Sequence, residues 1–154
     1  MQHQKNAAER RAANEEVFTR MLGHLGRKEF DEFQSYLADD FLQEWPYLAS
    51  PDQPPSLRGP RALRDMIEIG TQPFDPFAYR ISRFYHMEDP DTLIVEYSSH
   101  SAYRPRNSPY SNLYLGIVRL RDGKIVYWKE YLNPMVVMEA LGADAQKSMA
   151  DRAG

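Results

Sequence analysis

The chain has 154 residues, 42 % hydrophobic and 27 % charged, which suits one soluble domain with a core of its own. A net charge of −3 without a basic stripe argues against a nucleic-acid surface, and no apolar run approaches the ~20 residues that cross a bilayer. The absence of cysteine excludes disulfides, thiolate–zinc sites and thiol nucleophiles together.

Residues 1–8 are polar and are expected to form a disordered tail, with the folded domain over 9–142. Met1 to Arg11 carries charge but no hydrophobic segment, so it does not read as a secretory signal, and a cytoplasmic location is expected. From Glu9 to Leu25 the pattern is helical, with Val17, Phe18, Met21, Leu22 and Leu25 on one stripe and Gly26 as a left-handed stop. A second short helix carries Phe30, Phe33 and Leu37. Phe41 to Leu48 reads as an edge strand because it contains Pro46. Ala49 to Arg58 holds three prolines and no period, so a loop is expected. Gly59-Pro60 opens a third helix, with Leu63, Met66 and Ile67 inward and Gly70 at its end.

Beyond Pro76 the chain turns to strands: Phe77–Met87, Thr92–Tyr103, Asn112–Arg121 and Lys124–Leu132. Asp122-Gly123 marks a hairpin between the last two. Asn133-Pro134 caps a short helix that Gly142 closes, and 143–154 is expected to be a tail. Helices followed by antiparallel strands give an α+β domain. Such a sheet curls, and three helices on its concave side enclose a pocket.

Tyrosine is the most frequent aromatic residue, ten against seven phenylalanines, and a phenol suits a pocket wall or a wet interface. Strand parity divides these residues. A three-residue loop at Arg121-Asp122-Gly123 pairs Gly116 with Trp128 and Tyr114 with Glu130, all on one face. A two-residue loop pairs Tyr114 with Tyr131 instead. With the first register, Glu130 is the candidate acid/base, since a carboxyl in an apolar pocket holds its proton to higher pH. Tyr114 is then a phenolic donor and Trp128 a floor for a flat ring, while Tyr127 and Tyr131 face outward toward a dimer contact. His100 is a second proton-transfer candidate, with Glu96 and Ser98 on its strand face. Trp45 and Tyr47 are placed at the pocket mouth under the proline loop. No metal-ligand spacing, calcium loop, phosphate loop or nucleophile elbow is present, so cofactor-free acid–base chemistry is expected, with neither a bound metal nor a cofactor.

Four segments carry a resemblance: Gln43-Glu44-Trp45-Pro46-Tyr47, Leu57-Arg58-Gly59-Pro60-Arg61-Ala62-Leu63, Leu120 to Ile125, and Lys129 to Gly142. Together they resemble the SnoaL-like polyketide cyclases of the nuclear transport factor 2-like superfamily, nearest the phenazine-biosynthesis PhzA/PhzB type. The resemblance spans Asn14 to Gly142 and implies a cone-shaped, usually homodimeric domain. It matches Glu130 to the pocket carboxylate and Tyr114 to a pocket tyrosine. One position departs from the phenazine type, where Pro60 stands in place of a histidine that handles substrate. Three readings stay open at this point: an isomerase, cyclase or dehydratase acting on a hydrophobic cyclic carbonyl compound, a non-catalytic binder of a hydrophobic metabolite, or a dimerisation module.

Overall fold

The computed structural model describes residues 2–50 and 52–142. Three helices come first or are interleaved with short strands: α1 (Gln2–Gly26), α2 (Phe30–Ser35), β1 (Leu37–Glu44), β2 (Ser56–Arg58) and α3 (Pro60–Thr71). Four long strands follow: β3 (Ala78–His86), β4 (Thr92–Tyr103), β5 (Ser108–Arg121) and β6 (Lys124–Leu132). A last helix, α4, covers 134–142, and Asn133 caps it by accepting the Met135 N–H. α1 starts at Gln2 rather than at Glu9, so the expected tail over 1–8 is helical from its second residue. The expected tail over 143–154 lies outside the described residues.

The strands form one curved, unclosed sheet in the order β2-β1-β6-β5-β4-β3. Every neighbouring pair is antiparallel except β1 and β6, which run parallel. The sheet is therefore mixed rather than wholly antiparallel: Tyr36 accepts the Ile125 N–H and feeds β1 alongside the start of β6. β2 replaces part of the expected loop by pairing with the end of β1.

The expected α1 stripe is inward, with Phe18, Met21, Leu22 and Leu25 buried against Leu93, Val95, Tyr97 and Trp128 of the sheet. Phe33 of α2 and Leu63 of α3 complete that layer. Burying these side chains contributes roughly 1.5–3 kcal/mol each relative to leaving them in water.

The β5–β6 hairpin closes on a two-residue turn, with Arg121 opposite Lys124 and positive φ at Asp122 and Gly123. A bulge at Val126 then adds one residue to β6, so Tyr127 faces Arg119 while Ile125 faces Leu120. The resulting pairs are Val118 with Trp128, Gly116 with Glu130, and Tyr114 with Leu132. The expected partners were two residues out of register. The faces are nonetheless as expected, because a turn shortened by one and a bulge of one cancel in parity.

Gly26 serves close approach rather than a left-handed stop. Its carbonyl accepts the Phe77 N–H, a Cβ on it would collide with the Phe77 carbonyl oxygen, and Lys28 takes the positive φ instead. Gly23, one turn earlier, would meet only the flexible end of Arg27. Gly23→Ala is therefore expected to stabilise by about 0.5–1 kcal/mol through helix propensity. Gly26→Ala is expected to destabilise by roughly 1–3 kcal/mol despite the same gain. Urea midpoints of the two variants check the opposite signs.

Candidate functional site

A cavity of about 720 Å³ lies between the concave sheet face, α3, the 49–54 loop and α4. That is within the usual size range of a small-ligand site. Its walls are mainly apolar, including Leu25, Leu63, Met66, Phe77 and Leu132. Its lining includes exposed residues as well, Asp52 and, near the end of α3, Ile69, which is 75 % exposed.

β6 delivers Glu130 into this space. Trp128 and Glu130 share a face by strand alternation, and both line the cavity. Among the described lining residues Glu130 is the one interior carboxyl, since Asp52 sits on the exposed loop. Burial pushes the Glu130 carboxyl up from 4.5 to about 7, while hydrogen bonds from Tyr97 and Trp45 pull it back down. The Tyr97 hydroxyl donates to Glu130 Oε2. Its free surface opens into the cavity, so the group is desolvated yet reachable by a ligand. At neutral pH it holds acid and base forms in comparable amounts, the condition for moving a proton both ways.

A second set of hydroxyls stands beside it. Tyr97 and Tyr114 stack with centroids 5.0 Å apart and planes 9° from parallel. Ser99 Oγ lies 2.8 Å from the Tyr114 hydroxyl, which lies 3.2 Å from the Tyr110 hydroxyl. Asn112 fixes the direction at one end: its Oδ1 accepts the Leu113 and Asn133 N–H groups, so its amide nitrogen must donate to Tyr110 at 2.9 Å. Ser99, Tyr114 and Tyr110 then have more hydroxyl protons than bonds between them. Ser99 is 0 % exposed and does not line the cavity, so when it donates to Tyr114 the spare proton rests on Tyr114 or Tyr110. Both of those phenols line the cavity and offer the proton to a ligand oxygen. Burial raises Tyr79, Tyr97, Tyr110 and Tyr114 above the ordinary phenol range, so all four stay neutral donors at pH 7.

The structure brings Glu130, Tyr114, Trp128 and Trp45 together around the cavity. It does not bring His100 or Glu96 there. Both lie on the exposed face of β4, where His100 Nδ1 pairs with Ser111 Oγ at 2.8 Å and Glu96 accepts from Tyr85 at 3.0 Å. Leu93, Val95, Tyr97 and Ser99 take the inner face instead, because an apolar and phenolic face is cheaper to bury than Glu and His together. Tyr47 is also outside the cavity. It is 57 % exposed and packs edge-on against Tyr131 at 6.0 Å. β1 ends at Glu44, so strand alternation no longer carries Tyr47 to the side of Trp45. Tyr79, Tyr97, Tyr110 and Gln43 are site residues that the sequence reasoning missed. For Tyr97 and Tyr110 a signal was present in the inward run of their strands. Among the described residues no cluster of His, Asp or Glu could hold a metal ion.

The SnoaL-like domain model matches residues 18–128, and the chain belongs to that family. It is 25 % identical over 127 residues to the uncharacterised protein YesE of Bacillus subtilis, covering 82 % of this chain and 86 % of the relative. Two solved structures show the same fold, known as nuclear transport factor 2-like. One is a Bacillus subtilis protein provisionally assigned as an isomerase, with TM-score 0.78, 23 % identity and coverage of 85 % of this chain and 94 % of that one. The other is a phenazine biosynthesis-related protein of Pseudomonas aeruginosa, with TM-score 0.71, 21 % identity and coverage of 89 % and 90 %.

The raised Glu130 pKa has a thermodynamic signature. Below about pH 4.5 the carboxyl is protonated in both folded and unfolded chains and costs nothing. As pH rises from 4.5 to about 7 the unfolded chain ionises first, so stability falls, by on the order of 3 kcal/mol in all. Glu130→Gln cannot ionise. Relative to the wild type it is expected to gain stability steadily over that window and to hold the gain above it. Urea denaturation at fixed pH values from 4 to 8 measures the difference, and parallel curves would contradict it.

Proposed function

We propose that this protein is a cofactor-free acid–base enzyme that isomerises, cyclises or dehydrates a hydrophobic cyclic carbonyl compound. The observation that carries the reading is Glu130, the one interior carboxyl among the described lining residues, set in an apolar cavity beside phenols with a proton to spare. The substrate carbonyl lies against Tyr110 and Tyr114, and its acidic carbon faces Glu130. Ionised Glu130 removes that proton, and the negative charge that develops on the carbonyl oxygen is met by the phenolic O–H. Protonated Glu130 then returns the proton at another position. Tyr97 and Trp45 hold the carboxyl in place and limit how far burial raises its pKa. Trp128 supplies a flat wall. The isomerase assignment of the Bacillus structure agrees with this chemistry and is extended to this chain as part of the proposal.

A homodimer belongs to the same reading. Leu113, 74 % exposed on the outer sheet face with Tyr47 and Tyr131 nearby in the sheet order, supports a contact there. Pro60, which cannot exchange protons, favours a second reading in which the cavity binds a metabolite without turning it over.

Incubation with 1-tetralone and 2-tetralone in heavy water separates the two. The enzyme reading expects deuterium at the carbon beside the carbonyl, a rate loss of about 100-fold or more in Glu130→Gln, and a smaller loss in Tyr114→Phe. Binding without exchange supports the metabolite carrier. Equal exchange by the wild type and Glu130→Gln removes Glu130 from the chemistry.

A further inference from the structure

Asn112 stands between the two cavity phenols on the inner face of β5. Tyr110, Asn112 and Tyr114 alternate inward there, and all three are buried. Both phenols line the cavity and Asn112 does not, so it reaches a ligand only through another residue. Its amide is fully engaged. Oδ1 accepts the Leu113 N–H at 2.9 Å and the Asn133 N–H at 3.1 Å. Nδ2 donates one proton to the Asn133 carbonyl at 3.1 Å and the other to the Tyr110 hydroxyl at 2.9 Å. Three of these partners are backbone groups of fixed polarity, so the amide cannot be turned over. A turned amide would set its NH2 against two N–H groups and its oxygen against a carbonyl. The two N–H groups alone do not require asparagine, because a carboxylate accepts such bonds more strongly than an amide oxygen does. What the amide adds is donation, to Asn133 and to Tyr110.

The direction of that last bond decides where the phenol protons go. Tyr110 accepts from Asn112, so its own proton points elsewhere. Ser99, at the other end, is buried away from the cavity, and its proton goes to Tyr114. The row Ser99–Tyr114–Tyr110 is thus entered by donors from both ends, and its surplus proton is left for the cavity. An acceptor in place of the Asn112 nitrogen would reverse one end. The three hydroxyl protons would then fill three bonds: Ser99 to Tyr114, Tyr114 to Tyr110, and Tyr110 to the new acceptor. A ligand oxygen could be served only by breaking one of them. Asn133, which holds the amide, also caps α4, and Val137 and Leu141 of α4 line the cavity. One amide therefore joins the seating of α4 to the polarity of the phenols.

We propose that Asn112 is a positioning residue: held by the first backbone groups of α4, it donates to Tyr110 and thereby commits Tyr110 and Tyr114 to donate into the cavity. This rests on the two phenols being the carbonyl partners of the proposed function, and it adds what sets their direction. Each donor in the row also polarises the next, so donation from Asn112 strengthens the bond that Tyr110 gives to a ligand. With α4 seated, the amide is locked and the phenols present protons rather than lone pairs.

Infrared difference spectra of 1-tetralone labelled with 13C at the carbonyl test it, since a carbonyl that accepts hydrogen bonds absorbs at lower frequency than in hexane. Wild-type protein is expected to lower the frequency of the bound ketone. Asn112→Asp keeps both accepted N–H bonds and reverses the bond to Tyr110, so most of the lowering is expected to be lost. Asn112→Ala gives up every bond of the side chain but leaves three hydroxyl protons for two bonds, so part of the lowering is expected to remain. A residue that only supports α4 gives the opposite order, with Asn112→Ala the more damaged. Tyr114→Phe tests the same bond without touching Asn112. Tyr110 then has Asn112 as its hydroxyl partner, and the ketone is expected to stay lowered. A ketone at the hexane frequency in that variant would show the Tyr110 proton turned toward Asn112 and overturn the proposal. So would the opposite order, an unshifted ketone in the wild type, or no binding at millimolar concentration. The expected order without deuterium exchange removes the acid–base chemistry alone. Exchange with the opposite order removes this inference alone.

Discussion

Placing one carboxyl inside an apolar cavity is the constraint around which this sheet is organised. An ionised carboxylate there is costly unless donors reach it, and an unpartnered one would simply stay protonated. The chain answers with Tyr97 and Trp45, which approach Glu130 from β4 and from the end of β1. Gly116 makes the first approach possible. It stands opposite Glu130 on β5, and a Cβ there would lie 3.3 Å from a Tyr97 ring carbon, 3.3 Å from Trp128 Nε1 and 3.2 Å from a Val95 methyl. The missing side chain is the space into which the Tyr97 ring and the Trp128 indole lean. Partial compensation then leaves the carboxyl poised between its two protonation states.

The tyrosines that give the composition its character divide along the same line. Tyr79, Tyr110 and Tyr114 line the cavity, Tyr97 is buried in contact with Tyr79 and Tyr114, and Phe77 joins Tyr110 to Tyr79, so the rings form a continuous aromatic wall. Tyr127 turns the other way and donates to Glu44 on the outer face. Tyr131 packs there against Tyr47. The inner group supplies neutral hydrogen-bond donors, because burial keeps each phenol protonated. The outer group supplies exposed aromatic surface.

Much of this was legible from local patterns. The α1 stripe, the boundaries of β4 and β6, and the Asn133 cap follow from period and capping chemistry that need no tertiary information. The β5–β6 hairpin was legible only in its faces. Asp122-Gly123 specifies a two-residue turn, but nothing local in Lys124-Ile125-Val126-Tyr127 announces a bulge. The bulge arises where β1 leaves Tyr36 and joins Ile125, a contact between segments far apart in sequence. Parity survived because the two one-residue shifts add to two, which leaves every side chain on its face. For β4, the chemically attractive set Glu96, Ser98 and His100 outweighed the simpler cost of burying charge, and the strand presents its apolar and phenolic face inward. Gln43 carries no sequence signal at all.

The proposed chemistry depends on the protonation of one group. Selective 13C labelling of glutamate with NMR titration of the Glu130 carboxyl, assigned by loss of its signal in Glu130→Gln, measures it directly. The expected midpoint is near 7, against 4.5 for an ordinary glutamate, with the Tyr97 phenol still neutral across the titration. A midpoint at or below 4.5 would show that Glu130 is an ordinary solvated or ion-paired carboxylate, and the cavity would lose its acid–base centre.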